Sequence, residues 1–182
     1  MTLTFDPATE RARYVSRQAL LARQDALRLI LGDGITFQPE TEESVEDQVA
    51  ETLWAEGMTL ASAPPEDLAE ARASFAVLAP RREPGGTSVA ATLMLGFPDA
   101  ERERLLEALR GFPDQLALEL SDGNPAFPAV DRGTATPQDR LPAVLALRYL
   151  IPDGLRAAAL VSTHPARPGR WPAPAAWSAW LA

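Results

Sequence analysis

Apolar positions recur along this chain with two periods, and each change of period marks an element. Thr9 to Arg23 has helix-forming composition, with Tyr14, Leu20 and Leu21 able to share a broad face. The apolar run Ala26 to Leu31, the turn Gly32-Asp33-Gly34 and the β-prone Ile35-Thr36-Phe37 predict a hairpin, because such a turn needs positive φ. Thr41 is placed to cap the next helix. That helix has an apolar stripe of Val45, Val49, Thr52 and Leu53, while Glu42, Glu43, Glu46, Asp47 and Glu51 face outward. Pro65 suits a helix start, and Leu68, Ala71, Phe75 and Leu78 keep helical spacing until Pro80 stops it. Arg81 to Gly86 reads as a loop.

Beyond that loop the period drops to two. Thr87 to Leu95 predicts a strand with Val89, Ala91, Leu93 and Leu95 on one face. Asp99 is placed to cap a helix carrying Leu105, Leu106 and Leu109, closed by Gly111. Leu116, Leu118 and Leu120 alternate as another strand, Pro125 to Pro142 is irregular with room for short extended pieces, and Ala143 to Ile151 and Ala157 to Thr163 are the last two strands. The tail holds Trp171, Trp177 and Trp180 and ends in a short helix from Pro174. This order predicts an α+β fold over 1–182 as a single domain, with residues 1–9 a loose N-terminal arm. The expected sheet is antiparallel or mixed, of about five strands, with helices packed mainly on one face.

Composition narrows the chemistry by what it omits. The chain has no cysteine, a single histidine, and seventeen basic residues that are all arginine. One chain of this kind supplies neither the thiolates of an iron–sulfur cluster, nor the ligand set of a His/Cys zinc site, nor the lysine of a Schiff-base enzyme. No metal and no cofactor is therefore expected. The net charge of −8 repels phosphate backbones, so nucleic acid is not an expected partner. No apolar run reaches the ~18 residues of a membrane span, and Met1 to Arg13 has no signal-peptide core, so a cytoplasmic protein without membrane partners is expected.

Four groups of residues could carry chemistry. His164 ends an apolar strand before a proline and is the one candidate general acid/base; the alternative is a histidine hydrogen-bonded at a strand end. Arg81 and Arg82, followed by Gly85-Gly86, could grip an anion with two guanidinium forks, although the Gly-Lys-Ser/Thr of a Walker loop is missing. Arg148 interrupts an apolar run and must face solvent or find a carboxylate, with Asp131, Asp139 and Glu119 as expected partners. The acidic helix row, Glu42/Glu46 and Glu43/Asp47/Glu51, is either a solvated face or a seat for a hard cation. Trp171, Trp177 and Trp180 form the densest aromatic cluster, docked on the core or exposed as an interaction patch for a protein partner or self-association.

Several segments carry a resemblance in their order and spacing. Leu31-Gly32-Asp33-Gly34-Ile35-Thr36-Phe37 followed by Ser44 to Glu51 resembles the opening of a bacterial family of uncharacterised function, domain of unknown function 3501. Ser88 to Leu95 is similar to its "ELSATL" strand, and Ala146 to Tyr149 and Thr163-His164-Pro165 are similar to its "YLRF" and "DHP" segments. The likeness spans about residues 10 to 181. Departures fall at Gln38-Pro39-Glu40, where the family has Glu-Asn, at Thr163, where it has Asp, and around Leu145, where it often has histidine. The resemblance implies no activity. Its usual gene neighbours, rubrerythrin-like and iron–sulfur redox genes, imply a supporting role in redox or oxidative-stress metabolism.

Two functions follow. The first is a non-catalytic accessory or binding module acting through a protein partner or self-association, with a small anionic ligand accommodated at the arginines. The second is a small-molecule enzyme with His164 as acid/base and Arg148, Arg81 or Arg82 holding an anionic substrate. They differ in geometry: an enzyme brings His164 and an arginine together on one concave pocket, and a binding module shows a flat, apolar patch with His164 off to one side.

Overall fold

The computed structural model describes residues 7–131 and 141–180. The first six residues of the expected N-terminal arm lie outside them, and from Pro7 the chain is already helical. Helix α1 (Pro7–Leu27) leads into the hairpin β1 (Leu29–Gly32) and β2 (Ile35–Pro39), whose turn holds Gly34 at φ +74°. Thr41 then starts α2 (Glu42–Ala55) with a reciprocal cap. Its Oγ1 accepts from the Ser44 N–H at 3.1 Å while Ser44 Oγ accepts from the Thr41 N–H at 2.8 Å, so two otherwise orphaned donors are satisfied together. Helix α3 (Pro65–Phe75) begins at its proline, as expected.

The hairpin β3 (Arg81–Glu83) and β4 (Gly86–Leu95) replaces the expected loop. Its turn is made by Gly85 at φ +86°, and its short first strand is charged and exposed, so no hydrophobic alternation betrays it. Next come α4 (Asp99–Ala108), β5 (Leu116–Leu120), β6 (Pro125–Ala126) and β7 (Ala129–Asp131). The cap position of α4 is Pro98; Asp99 is the first helical residue and pairs with Arg102 at 2.8 Å. β6 and β7 are the short extended pieces for which the irregular stretch left room, and 132–140 of that stretch lies outside the described residues. The chain continues through β8 (Val144–Pro152), β9 (Ala157–Ser162) and β10 (Gly169–Pro172) to α5 (Trp177–Trp180).

The fold is α+β, but the strands divide between two antiparallel sheets rather than joining one. A six-stranded sheet runs β1-β2-β4-β8-β7 with β3 also on β4, and a four-stranded sheet runs β10-β9-β5-β6. In β4 the positions Val89, Ala91, Leu93 and Leu95 are buried on the inner face, with Leu145, Leu147, Tyr149 and Ile151 of β8 beside them. Leu116, Leu118 and Leu120 of β5 and Leu160 of β9 join the same core from the smaller sheet. The Tyr149 hydroxyl donates to the Leu116 carbonyl at 2.8 Å, tying one sheet to the other. Leu27 of α1, Leu106 and Leu109 at α4, and both tryptophans of α5 complete this core.

Helices α2 and α3 pack a second, smaller cluster of Val49, Leu53 and Ala71. A polar seam ties α2 to the sheet. The buried Glu40 carboxylate accepts from Thr92 Oγ1 at 2.5 Å, Ser44 Oγ at 2.7 Å and Gln48 Nε2 at 3.2 Å. No described helix is long and apolar enough to cross a membrane.

Candidate functional site

A cavity of about 730 Å³ opens where α1, the start of α2, β3 and α5 meet. One wall is apolar. α1 contributes Leu20 and Leu27 from its buried face and Ala26 from its exposed flank, α5 brings Trp180, and Ala176 and Pro80 fill between them. The opposite side is charged, with Arg23 from α1, Arg81 and Arg82 from β3, and Glu42 and Glu43 in the first turn of α2.

Local pairing sets the charge each of these presents. Arg23 forks onto the Glu43 carboxylate through Nε (3.1 Å) and Nη2, which neutralises both; the hydrogen bond to Glu43 raises the Arg23 pKa. Arg81 uses Nε on Glu83 at 2.8 Å, and that bond is the main cause holding the Glu83 carboxyl below the usual carboxylate range. Arg82 gives Nη1 to Thr87 Oγ1 at 2.6 Å and Nη2 to Asp153 at 2.8 Å. A guanidinium has five N–H donors, so Arg81 and Arg82 keep donors for a ligand after these bonds. The two residues alternate along β3, yet both reach the cavity, because long arginine stems can bend around the edge of a narrow hairpin.

The other candidate residues sit elsewhere. His164 is buried on the inner side of the chain after β9 and lines no part of this cavity. Its Nε2 lies 2.9 Å from the Arg110 carbonyl, which can only accept, so Nε2 carries the hydrogen. Nδ1 accepts from the Ala166 N–H at 3.3 Å, and the ring meets Phe112 edge-on at 5.8 Å. Both nitrogens are thereby engaged with main chain.

Arg148 finds carbonyls instead of the expected carboxylates. It donates to Ala79 O at 3.1 Å and to Val77 O just after α3, and to Ser88 Oγ at 2.9 Å. Burial lowers its pKa, the neighbouring Arg81 charge adds to the effect, and Glu83 opposes it. Glu119, one of the expected partners, pairs with Arg170 at 2.6 Å, and Asp139 lies outside the described residues.

Trp177 and Trp180 are docked in the core, 1% and 4% exposed, with their Nε1–H groups donating to Leu27 O (2.7 Å) and Glu40 O (3.0 Å). Trp171 is half-buried on β10, its ring laid over Gly169. The acidic row on α2 is met by arginines from both sides: Glu51 by Arg13 and Arg17, Asp47 by Arg17, Glu43 by Arg23 and Glu46 by Arg72. Among the described residues no group of three or more His, Cys, Asp or Glu side chains is arranged to hold a metal ion.

Pattern reading missed two features of this region. Arg23 joins the cavity only because α1 packs against α2 and β2, a tertiary fact its own sequence does not carry. Glu40 is a buried carboxylate held by three neutral donors, and the nearest sequence signal is its place directly before the Thr41 cap.

Fold and site together define an α+β protein of two antiparallel sheets with a cleft that is apolar on one side and lined by paired charges on the other. The chain belongs to the family described as protein of unknown function (DUF3501), whose model matches residues 6–166. In fold it is similar to a crystal structure of a novel protein of unknown function from Burkholderia pseudomallei K96243, with a TM-score of 0.75 at 21% identity, covering 99% of this chain and 98% of that one. No curated protein matches the chain.

Proposed function

We propose that this protein is a non-catalytic accessory module that binds a small ligand in the cleft between α1, α2, β3 and α5. One observation carries the reading: Arg81 and Arg82 reach the cleft together with an apolar wall, and His164 does not. General acid–base catalysis needs the proton-transfer group within hydrogen-bond reach of the substrate, directly or through one water. The single histidine faces the Arg110 carbonyl and the Ala166 amide instead. A protein partner or self-association, suggested by the acidic surface, and service to redox or oxidative-stress metabolism, which rests on the family resemblance, belong to the same proposal.

Native mass spectrometry of protein purified gently from its own host tests this. The expected result is a small molecule retained on the folded chain and released on denaturation, with retention unchanged in His164→Gln. A turnover activity that disappears in a folded His164→Gln variant would overturn it.

A further inference from the structure

Resting on that reading, we propose that the cleft takes an uncharged, largely apolar molecule that presents a carbonyl oxygen at one end. The volume comes first. A space of about 730 Å³ falls within the roughly 300–1,000 Å³ of sites that hold a whole small molecule. The wall sets the body. Leu20, Ala26, Leu27, Pro80, Ala176 and the Trp180 ring line it, and the Trp180 N–H is already given to Glu40 O. A sugar or other polyol laid there would lose hydrogen bonds to water without replacing them, whereas an aryl or alkyl body gains contact at no such cost.

Charge is balanced on the opposite side. Glu43 neutralises Arg23, the Glu83 carboxylate lies 2.8 Å from Arg81, and that of Asp153 lies 2.8 Å from Arg82. Glu42 stands in the first turn of α2, where the positive end of the helix dipole offsets it. An entering anion would meet Glu42 and guanidiniums that already hold carboxylates, and an entering cation would meet three arginines. Either would give up hydration without gaining a free countercharge. An uncharged molecule avoids that cost. The ion pairs still leave N–H groups over. With Nε on Glu83, Arg81 keeps both of its Nη groups. Arg82 gives one Nη1 hydrogen to Thr87 and one Nη2 hydrogen to Asp153, and keeps Nε–H. A carbonyl oxygen accepts from these donors without displacing a carboxylate, while its apolar body lies along the wall. Both arginines are exposed, so their substitution leaves the core intact.

The test uses three fluorescent naphthalenes on the full chain. Propionyl-dimethylaminonaphthalene is an uncharged ketone, N-phenylnaphthylamine is uncharged without a carbonyl, and anilinonaphthalene sulfonate has nearly the shape of the second with one negative charge. One ketone probe is expected to bind, and the sulfonate should bind about tenfold or more weakly than N-phenylnaphthylamine, the scale of an uncompensated charge. Ala26→Phe, which fills the cleft from the exposed flank of α1, should weaken both uncharged probes. Arg81→Met/Arg82→Met keeps the stems and removes the donors; it should weaken the ketone about fivefold, the scale of one hydrogen bond, and leave N-phenylnaphthylamine no weaker. Circular dichroism verifies that each variant is folded. Ketone binding that is absent, or indifferent to Ala26→Phe, overturns the site. A sulfonate bound as tightly as N-phenylnaphthylamine overturns the uncharged class, and a ketone indifferent to the loss of both arginines overturns the carbonyl end. A charged ligand retained from the host also overturns the uncharged class and leaves the accessory-module reading standing. Loss of turnover in His164→Gln would remove that reading instead.

Discussion

Gly32 and Arg167 come from opposite ends of the chain and fit only each other. Gly32 has φ +144°, and a Cβ there would fall inside the Arg167 guanidinium, which donates through Nε to Leu31 O at 2.7 Å. A side chain at Gly32 therefore meets two penalties at once, backbone strain and displacement of a charge-assisted bond. Gly32→Ala is expected to cost about 2–4 kcal/mol in urea unfolding. In an Arg167→Ala background the same change should cost distinctly less, since the two effects share one partner. Tyr149 makes a second residue-scale prediction. Burial raises its pKa well above 10, so the hydroxyl stays neutral in the folded state and its contribution is complete below the unfolded tyrosine pKa of about 10. That contribution is lost as pH rises toward the folded value, because the unfolded chain gives up the proton first. Tyr149→Phe loses one hydrogen bond, about 1 kcal/mol at neutral pH, and its deficit against the wild type should shrink on alkaline titration. A deficit that stayed constant to high pH would contradict the buried, neutral phenol. At this scale the sequence was informative about which residues matter and poor on what they touch. Arg148 stood out as a charge in an apolar run, yet its partners are main-chain carbonyls after α3, which no side-chain inventory reveals.

Among the elements, α1 and α2 show how a polar helix is held. Only Leu20 and Leu27 of the described α1 side chains are buried. Between them and the N-terminus, Arg13 and Arg17 pair with Glu51 and Asp47, and Arg13 also lies 4.6 Å from the Trp54 ring centre. These pairs are about one-third exposed, so salt should weaken them, as the screening length falls from about 10 Å at 0.1 M to about 3 Å at 1 M. Amide exchange over 11–18 is expected to quicken with added sodium chloride while β4 amides stay protected. An unchanged rate would mean that the apolar anchors alone hold the helix. The elements with strong periodicity, α2, α3, β4, β5, β8 and β9, are all legible in the sequence, because each shows one apolar face to the core. β3 and β10 are not: one is a charged edge, and the other is four residues bounded by Gly169 and Pro172. Without them the strands count toward a single sheet.

For the whole molecule, the described strands divide into two sheets, and the cleft is lined by the larger of them together with the helices. Periodicity identifies strands but not which pair, and the long β4–β8 ladder and the separate β5–β9 ladder are set by contacts between distant segments. The cleft is tertiary in the same sense. It is built from α1, the cap of α2, the β3 edge and the tail helix; of its charged side Arg81, Arg82, Glu42 and Glu43 stand out in the sequence and Arg23 does not.

The tail helix carries one consequence further. The Trp177 and Trp180 rings stand 5.1 Å apart and inclined by 67°, close enough for their transition dipoles to couple as an exciton pair. Trp180 belongs at once to that pair and to the cleft wall, while Trp177 is sealed at the centre of the core. The molecule therefore carries its own optical gauge: a body seated against Trp180 is expected to alter its emission and the circular dichroism of the coupled pair, so that occupancy is read in the ultraviolet without a label.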